Sequence, residues 1–310
     1  MGNADTRAAW EYHRRTSHSP VSVRASGHWL DWDNLPRPYK LYPTLPSLPL
    51  PAERPRSAQP ALAALASAAA ARSGERTPTL GQLSTILHYS AGVTKRLALP
   101  GGYMDFRAAA CTGALYHVDL YLVCRELAGL AAGVYHYGPH DDALRLLRSG
   151  DLRGSLVEAC AGQEWVARAP ASIVFTTTFW RNAWKYRERA YRHAFWDSGT
   201  ILANLLALAT ARALPSGVLM GFVDREVNRL LDLDTDKKVS VLMPPLGHEP
   251  NHRRLRAGPR RHRADVYDDE VTRFFGPRAA DLSPIFLLAL GSRLGAAPGS
   301  TGSFACHHRK

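Results

Sequence analysis

Apolar and polar residues follow two distinct rhythms along the middle of the chain. Short runs rich in β-branched and aromatic residues, bounded by Gly, Pro or Asp, are typical of strands. They predict strands over residues 119–124, 133–137, 143–147, 171–179, 217–221 and 239–246. Apolar residues three or four positions apart predict helices over residues 61–71, 80–89 and 187–213, and then a short helix that Asp224 caps.

The longest of these helices is strongly apolar. The leucine and isoleucine residues between Ile201 and Leu208 leave it little polar face, so we expect a long, buried central helix. Strands and helices follow one another without a regular βαβ rhythm, and no Gly-x-Gly-x-x-Gly motif follows a strand. The pattern therefore predicts an α+β fold rather than a doubly wound nucleotide-binding fold.

Proline usage and composition divide the chain into four regions. Residues 1–60 form an N-terminal extension rich in Pro and aromatic residues, where no long helix is expected because each proline removes a backbone donor. This extension is expected to wrap over the main body. Residues 61–250 are the predicted core domain. A basic loop with a C-terminal helix and apolar segment is predicted for 251–294, and a disordered polar tail for 295–310.

The overall composition excludes several classes of protein. Of the 310 residues, 45% are hydrophobic and 21% are charged, which excludes a fully disordered or collagen-like chain. The apolar stretch over residues 200–211 is too short to span a bilayer, and the N-terminus lacks the basic and apolar regions of a secretory signal. We therefore expect a cytoplasmic protein that does not contact a membrane.

The net charge of +12 is largely local, because six arginines lie between Arg253 and Arg263. A segment of this kind, interrupted by Gly and Pro, favours a solvated loop, or a loop that meets a phosphate or an acidic partner, over a nucleic-acid surface. The four cysteines are scattered without a Cys-x-x-Cys pair, and the histidines show no ligand spacing. We expect reduced thiols, no disulfide framework and no metal site.

Three segments combine polar residues with glycine and other small residues in ways that suit chemistry. In the first, Arg107 to Tyr116, small residues lead to Gly113, so that the backbone can approach a flat ligand and Thr112 can donate to it. A tight turn into the next strand is the alternative. The third segment runs from Gly217 to Asp224. Here a strand that ends in glycine before a helix presents free backbone N–H groups. Many αβ units end in this way.

The second segment, Trp184 to Asp197, brings a Lys, three Arg, two Tyr and a His to the start of the long helix. On a continuous helix, Lys185, Arg189 and Arg192 would lie along one side. Apolar surroundings lower the pKa of a lysine, which suits Lys185 to act as a base, and Tyr186 can donate or accept a proton beside it. A solvated basic helix start is the alternative that composition leaves open.

In this order and at these separations, the segments resemble the SagB-type dehydrogenase branch of the nitroreductase family, over roughly residues 80–247. The resemblance is carried by Cys111-Thr-Gly-Ala-Leu-Tyr before Asp119-Leu-Tyr-Leu-Val, Gly133-Val-Tyr-His-Tyr, Trp184-Lys-Tyr with Arg189-Ala-Tyr-Arg, and Gly221-Phe-Val-Asp with Val227-Asn-Arg-Leu-Leu-Asp-Leu-Asp. It implies a nitroreductase-like fold, with a central, mainly antiparallel sheet flanked by helices. It also implies an FMN cofactor at the interface of a dimer.

The resemblance further implies an activity, which is oxidation of azoline rings in ribosomal peptides to azoles. The matching positions assign Lys185 and Tyr186 to proton removal while hydride passes to flavin N5. A nitro or quinone reductase driven by NAD(P)H, and a catalytically degenerate scaffold that binds flavin or peptide, are the alternatives. The expected partners are a peptide or small-molecule substrate and a second copy of the chain, or a second nitroreductase-like half.

The flavin residues that the resemblance implies depart from the family pattern in two places. Cys111 stands where the family has serine, so Thr112, Gly113 and backbone groups would contribute most of the contacts. The family's Arg-Ser-x-Arg phosphate motif is matched by Arg72-Ser73-Gly74-Glu75-Arg76, which is one residue longer. The remaining candidate cofactor residues are Arg107, Arg189, Gly221 and Phe222.

Overall fold

The computed structural model describes residues 7–25, 27–67, 75–100 and 102–248. The chain divides into two units, Met1–Asn251 and His252–Lys310, and all described residues belong to the first. Several sequence predictions fall outside the described residues. They are Arg72 and Ser73, the end of the helix predicted over 61–71, the basic segment around Arg253 to Arg263, and the elements and tail predicted beyond it.

The described residues form helices and strands in alternating groups. The helices are α1 (Arg7–Thr16), α2 (Pro20–Arg24), α3 (Ala61–Ser67), α4 (Leu80–Ala91), α5 (Arg153–Ala159), α6 (Glu164–Arg168), α7 (Phe179–Tyr186), α8 (Ala190–Ala211) and α9 (Asp224–Leu230). The strands are β1 (Leu48–Pro49), β2 (Val93–Leu99), β3 (Gly102–Arg107), β4 (Val118–Cys124), β5 (Gly133–Gly138), β6 (Ala143–Ser149), β7 (Ala171–Thr178), β8 (Lys238–Leu242) and β9 (Pro245–Leu246). No described helix is both long and apolar enough to cross a bilayer.

The main sheet has the order β1-β6-β5-β4-β7-β8, with β9 also paired to β7, and each of these pairings is antiparallel. Strands β2 and β3 form a separate hairpin. Every residue of β4 and β7 is buried, because helices cover both faces of the sheet centre. The predicted α+β fold, with a mainly antiparallel sheet flanked by helices, is confirmed.

Two apolar clusters fill the two faces of the sheet. One packs α4 and α8 against the sheet through residues such as Leu87, Leu120 and Leu205. The other packs α5, α6 and α9 against the opposite face through residues such as Val123 and Leu156. The side chains of β4 alternate between these clusters, as the two-residue period of a strand requires. The polar side chains of β4 therefore lie on one face of the sheet or on the other, according to their position in the strand.

The long helix differs from its prediction in two ways. It begins at Ala190 rather than residue 187, because Arg187 has φ 52° and ψ −134°, a backbone conformation that a helix does not contain. Lys185 therefore lies on α7, and the prediction that it shares one helical side with Arg189 and Arg192 is wrong. The helix is also only half buried, since its outer residues, including Tyr191, remain exposed.

Smaller corrections concern the ends of other elements. Asp224 stands in the first turn of α9, and its cap position belongs to Val223, which makes no side-chain cap. The segment predicted as a strand over 217–221 makes only isolated bridges, such as that between Leu219 and Met243. The strand predicted over 239–246 is divided into β8 and β9. Helix α1 and the β2–β3 hairpin were not predicted; α1 forms because the first proline of the extension is Pro20.

Candidate active site

Helix α7 follows directly from the central strand β7 and carries Lys185 and Tyr186 in its last turn. Its inner face is fixed, because Arg181, Asn182 and Trp184 are buried. The indole N–H of Trp184 donates to the backbone carbonyl of Asp31 at 2.7 Å. The segment is therefore not a solvated basic helix start: it is a packed helix that presents the predicted catalytic pair at its exposed end.

Lys185 and Tyr186 lie next to each other in space as well as in sequence. Lys185 Nζ stands 5.5 Å from the centre of the Tyr186 ring. Within the described residues, this Nζ has no hydrogen-bond or ion-pair partner. A half-buried amine without a bound carboxylate is available to a ligand, which is the property that the predicted role requires.

The hydroxyl of Tyr186 lies directly against Gly113. A Cβ added at Gly113 would stand 2.7 Å from Tyr186 Oη, so only glycine fits there while the ring keeps its place. The ring also meets His193 edge-on, with 4.7 Å between centroids. Burial, together with the charge of Asp197 and the neighbouring Cys111, raises the pKa of Tyr186. The phenol is therefore protonated at neutral pH and can donate.

The turn that meets Tyr186 has an unusual backbone. Gly113, Ala114 and Tyr116 have φ of 63°, 54° and 46°, in the left-handed region that favours glycine. For Ala114 and Tyr116 this conformation costs on the order of 1–3 kcal/mol each, and it persists only where the surroundings hold it. The tight turn that was the alternative for this segment is present, and it also brings the backbone close to the predicted catalytic tyrosine.

One carboxylate holds this turn in place. Asp197 of α8 is 5% exposed and accepts two hydrogen bonds from Thr112, from the backbone N–H at 3.0 Å and from the hydroxyl at 2.7 Å. Cys111 Sγ donates to the same carboxylate at 3.1 Å, and His117 Nε2 lies 2.8 Å from it. Burial raises the pKa of Asp197, but these hydrogen bonds more than offset that effect, so its pKa is lowered.

His117 continues the network into the sheet. Its Nδ1 lies 2.8 Å from Thr177 Oγ1 of β7, and its side chain is fully buried. The sequence analysis did not identify His117 or Asp197 as functional residues. The signal was present in part, since Asp197 is the one acidic residue of α8. Its contact with a residue 80 positions earlier is not visible in the sequence.

Cys111, His117 and Asp197 each offer an atom that a metal ion accepts, and these atoms lie within 4.8 Å of one another. In this structure the same atoms are joined by hydrogen bonds, so a divalent ion would have to displace protons from Cys111 and His117. Burial and the charge of Asp197 raise the pKa of Cys111 to about 12, which keeps it a thiol. Hydrogen bonds among these three side chains therefore occupy the atoms that would bind a metal ion.

Two predicted cofactor residues bind the N-terminal extension. The Arg107 guanidinium is buried, donates to the Pro38 carbonyl at 2.5 Å, and lies 5.2 Å from the centre of the Tyr39 ring. Arg189 donates to the carbonyl of Thr16 and stacks over Trp196, 5.4 Å from its ring centre. The extension thus packs beside the α7–α8 junction, as the sequence analysis expected it to pack on the main body.

The other predicted cofactor residues lie apart from Lys185. The Arg76 backbone N–H donates to the carbonyl of Gly247 at 2.8 Å, next to the start of β7. This is the opposite end of the strand, roughly 26 Å of extended chain away from its junction with α7. Gly221 is exposed, and Phe222 packs with the cluster of α5 and α9. Within one chain, the structure therefore brings together only part of the predicted set.

A flat cofactor fits the described residues in some respects. A Cβ at Gly221 would meet no atom within 4 Å, so its backbone is open to a planar ring, and Lys185 has a free amine. The side chains of Cys111 and Thr112 fit less well, because their donors are directed to Asp197. A flavin held here would contact backbone groups and Lys185 rather than those two side chains.

Comparisons with known proteins find a matching family model, a relative of similar sequence and a solved structure with a similar fold. The model of the Nitroreductase family matches residues 63–248 of the chain. A protein of Methanocaldococcus jannaschii whose name describes it as a nitroreductase is 26% identical over 171 residues, covering 55% of this chain and 81% of its own length. The crystal structure of a protein from Anabaena variabilis, also described as a nitroreductase, is 30% identical with a TM-score of 0.63. It covers 77% of this chain and 45% of its own.

Two further relatives carry names that describe them as processing proteins. The microcin B17-processing protein McbC of Escherichia coli is 30% identical over 129 residues, covering 39% of this chain and 47% of its own length. The trifolitoxin-processing protein TfxB of Rhizobium leguminosarum bv. trifolii is 30% identical over 180 residues, covering 54% and 48%. The chain therefore spans about half the length of these two relatives.

Proposed function

The chain belongs to the nitroreductase family, and on that premise we propose that it is an FMN-dependent dehydrogenase that oxidises azoline rings of a ribosomal peptide to azoles. The observation that carries the proposal is the adjacent pair Lys185 and Tyr186 at the end of α7, with a protonated phenol and an amine that, among the described residues, has no hydrogen-bond or ion-pair partner. The names of McbC and TfxB, which describe them as processing proteins, support a peptide as the substrate.

The reaction removes two hydrogens from the ring, one as a proton and one as a hydride. FMN, when bound, supplies the hydride acceptor, and an electron acceptor then reoxidises it. Lys185 Nζ takes the proton from the ring carbon. The Tyr186 hydroxyl donates a hydrogen bond to the substrate and holds it against the amine. Both groups come from one rigid helix, which keeps their separation constant.

A dimer accounts for the separation of the predicted cofactor residues. Arg76, Gly221 and Phe222 lie apart from Lys185 within one chain. If the flavin lies between two chains, as the resemblance implies, one chain supplies Lys185 and Tyr186 and the other supplies the residues that are distant from them. A homodimer, or a pairing with a second nitroreductase-like half, therefore belongs to the proposal, as does the cytoplasmic location.

The test is oxidation of a synthetic azoline peptide by purified, FMN-loaded protein, followed by mass spectrometry. Lys185→Ala is expected to slow the reaction by about 10²–10⁴-fold because it removes the base, while flavin content stays unchanged. Lys237→Ala is the matched control, because Lys237 is an exposed lysine paired with Asp234. Full oxidation by the Lys185→Ala protein would remove the assigned role.

A reductase driven by NAD(P)H is the second candidate, and the M. jannaschii relative named as a nitroreductase favours it. Turnover of a nitroaromatic or quinone with NADPH, together with no oxidation of the azoline peptide, would establish it in place of the dehydrogenase. A protein that retains no FMN and cannot be reloaded with it would instead indicate a catalytically degenerate scaffold.

A further inference from the structure

The proposed reaction leaves one buried charged group of the site without a task, the Asp197 carboxylate behind the Cys111–Gly113 turn. We infer that Asp197 is a positioning residue, which fixes this turn against α8 and thereby sets the place and the electrostatic surroundings of the Tyr186 hydroxyl. The inference rests on the proposed function, because the role of Tyr186 belongs to it. It adds a residue that acts without touching the substrate.

Several hydrogen bonds tie the start of the turn to this side chain, while Arg181 donates to the Tyr116 carbonyl at its end. Thr112 donates to both carboxylate oxygens, and Cys111 donates to one of them. The backbone N–H of Tyr116 in turn donates to Cys111 Sγ at 3.1 Å. His117 fixes the carboxylate from the other side, since its second nitrogen is bound to Thr177. Asp197 thus connects α8, the turn and β7.

The backbone of the turn gives an independent reason to expect such a tie. Ala114 and Tyr116 adopt left-handed conformations that their side chains disfavour, and such residues relax when their surroundings release them. The part of the turn that touches Tyr186 is Gly113, whose Cα side leaves no room for a further carbon beside the phenol oxygen. A shift of the turn therefore shifts or clashes with the hydroxyl.

The charge of Asp197 acts on the same hydroxyl. Among the described residues, Asp197 has no lysine or arginine partner that would cancel its charge. Three other groups face Tyr186: the Cys111 thiol, the His193 ring and Lys185 Nζ. Burial lowers the pKa of His193 to about 4, so at neutral pH this ring is uncharged, as is the thiol. Burial is the largest cause of the raised pKa of Tyr186, and the negative charge of Asp197 raises this pKa further.

Asp197→Asn tests both parts of the inference, because asparagine keeps the shape but loses the charge and one acceptor. The readout is the ultraviolet titration of tyrosinate, taken as the difference between each protein and its Tyr186→Phe version. The midpoint for Tyr186 is expected to fall by about one pH unit in Asp197→Asn, and the alkaline limb of the kcat profile should follow it.

Two controls separate this role from general loss of structure. Asp119→Asn removes another buried carboxylate, one that already has an arginine partner, and Asp234→Asn makes the same change on the surface. Neither should move the Tyr186 midpoint. An unchanged midpoint in Asp197→Asn would overturn the inference, as would an equal shift in Asp119→Asn.

The failure of this inference is distinguishable from the failure of the proposed function. The titration needs neither substrate nor flavin turnover, so it reports on Asp197 even if the wild-type protein oxidises no azoline. If Asp197→Asn does not fold, Thr112→Val replaces it, because it removes one donor and little volume. It is expected to move the Tyr186 midpoint in the same titration, because it loosens the turn that contacts the phenol. An unchanged midpoint would overturn the inference.

Discussion

Two buried carboxylates, Asp119 and Asp197, lie on opposite faces of the same sheet and differ in their hydrogen-bond and ion-pair partners. Asp119 of β4 forms an ion pair with Arg181 at 2.9 Å and accepts from the Thr178 hydroxyl at 3.2 Å. Asp197 of α8 has only the hydrogen bonds from the turn and from His117. Both are nearly inaccessible to solvent. One negative charge therefore has a fixed counter-charge and the other does not.

This difference between the two carboxylates indicates a structural role for Asp119 and a functional role for Asp197. A carboxylate beside an arginine has a counter-charge that offsets part of its field, and removing the arginine alone is strongly destabilising. A carboxylate without a lysine or arginine partner lacks this offset at nearby titratable groups. After burial, the charge of Asp197 raises the pKa of Tyr186, whereas Asp119 lies beneath the N-terminal extension.

The largest effect is expected for Arg181→Met. It leaves Asp119 buried without its cation, which typically costs about 3–5 kcal/mol in the free energy of unfolding. Urea unfolding at neutral pH measures this loss. The double variant Arg181→Met with Asp119→Leu should recover much of it, because no lone charge remains. A loss below about 1 kcal/mol in the free energy of unfolding of the single variant would show that the Asp119–Arg181 pair does not stabilise the fold.

Asp197→Asn should reduce stability less, by about 1–3 kcal/mol, because it weakens hydrogen bonds without leaving a buried charge unpaired. The same urea experiment gives the comparison. The Tyr186 midpoint should move in this variant and stay in place in Asp119→Asn. A stability loss greater than that of Arg181→Met would reverse the proposed division of roles.

Acid unfolding should depend on Asp119. Burial raises the pKa of this carboxyl, but the Arg181 charge more than offsets it and lowers the pKa to about 2, against an ordinary value of 3.8. A group with a depressed folded pKa stabilises the protein above its unfolded pKa, and the contribution is lost as the pH falls from about 4 towards 2. This contribution is about 2 kcal/mol. Asp119→Asn should flatten the stability curve over this interval, and a curve with the wild-type slope would contradict the assignment.

A further pH effect concerns Lys40 of the N-terminal extension, which donates to the Tyr121 hydroxyl at 2.6 Å on the Asp119 face. Burial, and then the charge of Lys238, lower its pKa to about 7. Because the unfolded chain binds this proton more tightly, stability should rise with pH between about 7 and 10.5, by about 1 kcal/mol per pH unit. Lys40→Met should remove this slope in unfolding measurements at pH 7, 8 and 9. A slope that persists would assign it to another group.

The sequence predicts the sheet well and the site only in part, for physical reasons. Strands β4 and β7 are buried on both faces, so their composition identifies them. The end of α7 was missed because the chain breaks at Arg187, whose positive φ has no glycine to announce it. Lys185 and Tyr186 are adjacent, so the motif alone is enough to propose them. Asp197 and His117 act through a contact between distant segments, which periodicity does not reveal.

The N-terminal extension shows the same limit. Its prolines predict an irregular segment, but they do not show which side chains of the main body that segment would bind. Arg107 and Arg189 are among the candidate cofactor residues that the resemblance implies. In the structure their guanidinium groups bind the carbonyls of Pro38 and Thr16. An arginine donates to whichever acceptor lies within reach, and the sequence does not show which one folding supplies.

The most direct test of the account is anaerobic mixing of the FMN-loaded protein with an azoline peptide, while the visible flavin absorbance is followed. The account predicts that the flavin bands bleach and that the peptide loses two hydrogens, with both changes strongly slowed in Lys185→Ala. Bleaching by NADPH together with no response to the azoline peptide would contradict it, and would identify the chain as a reductase.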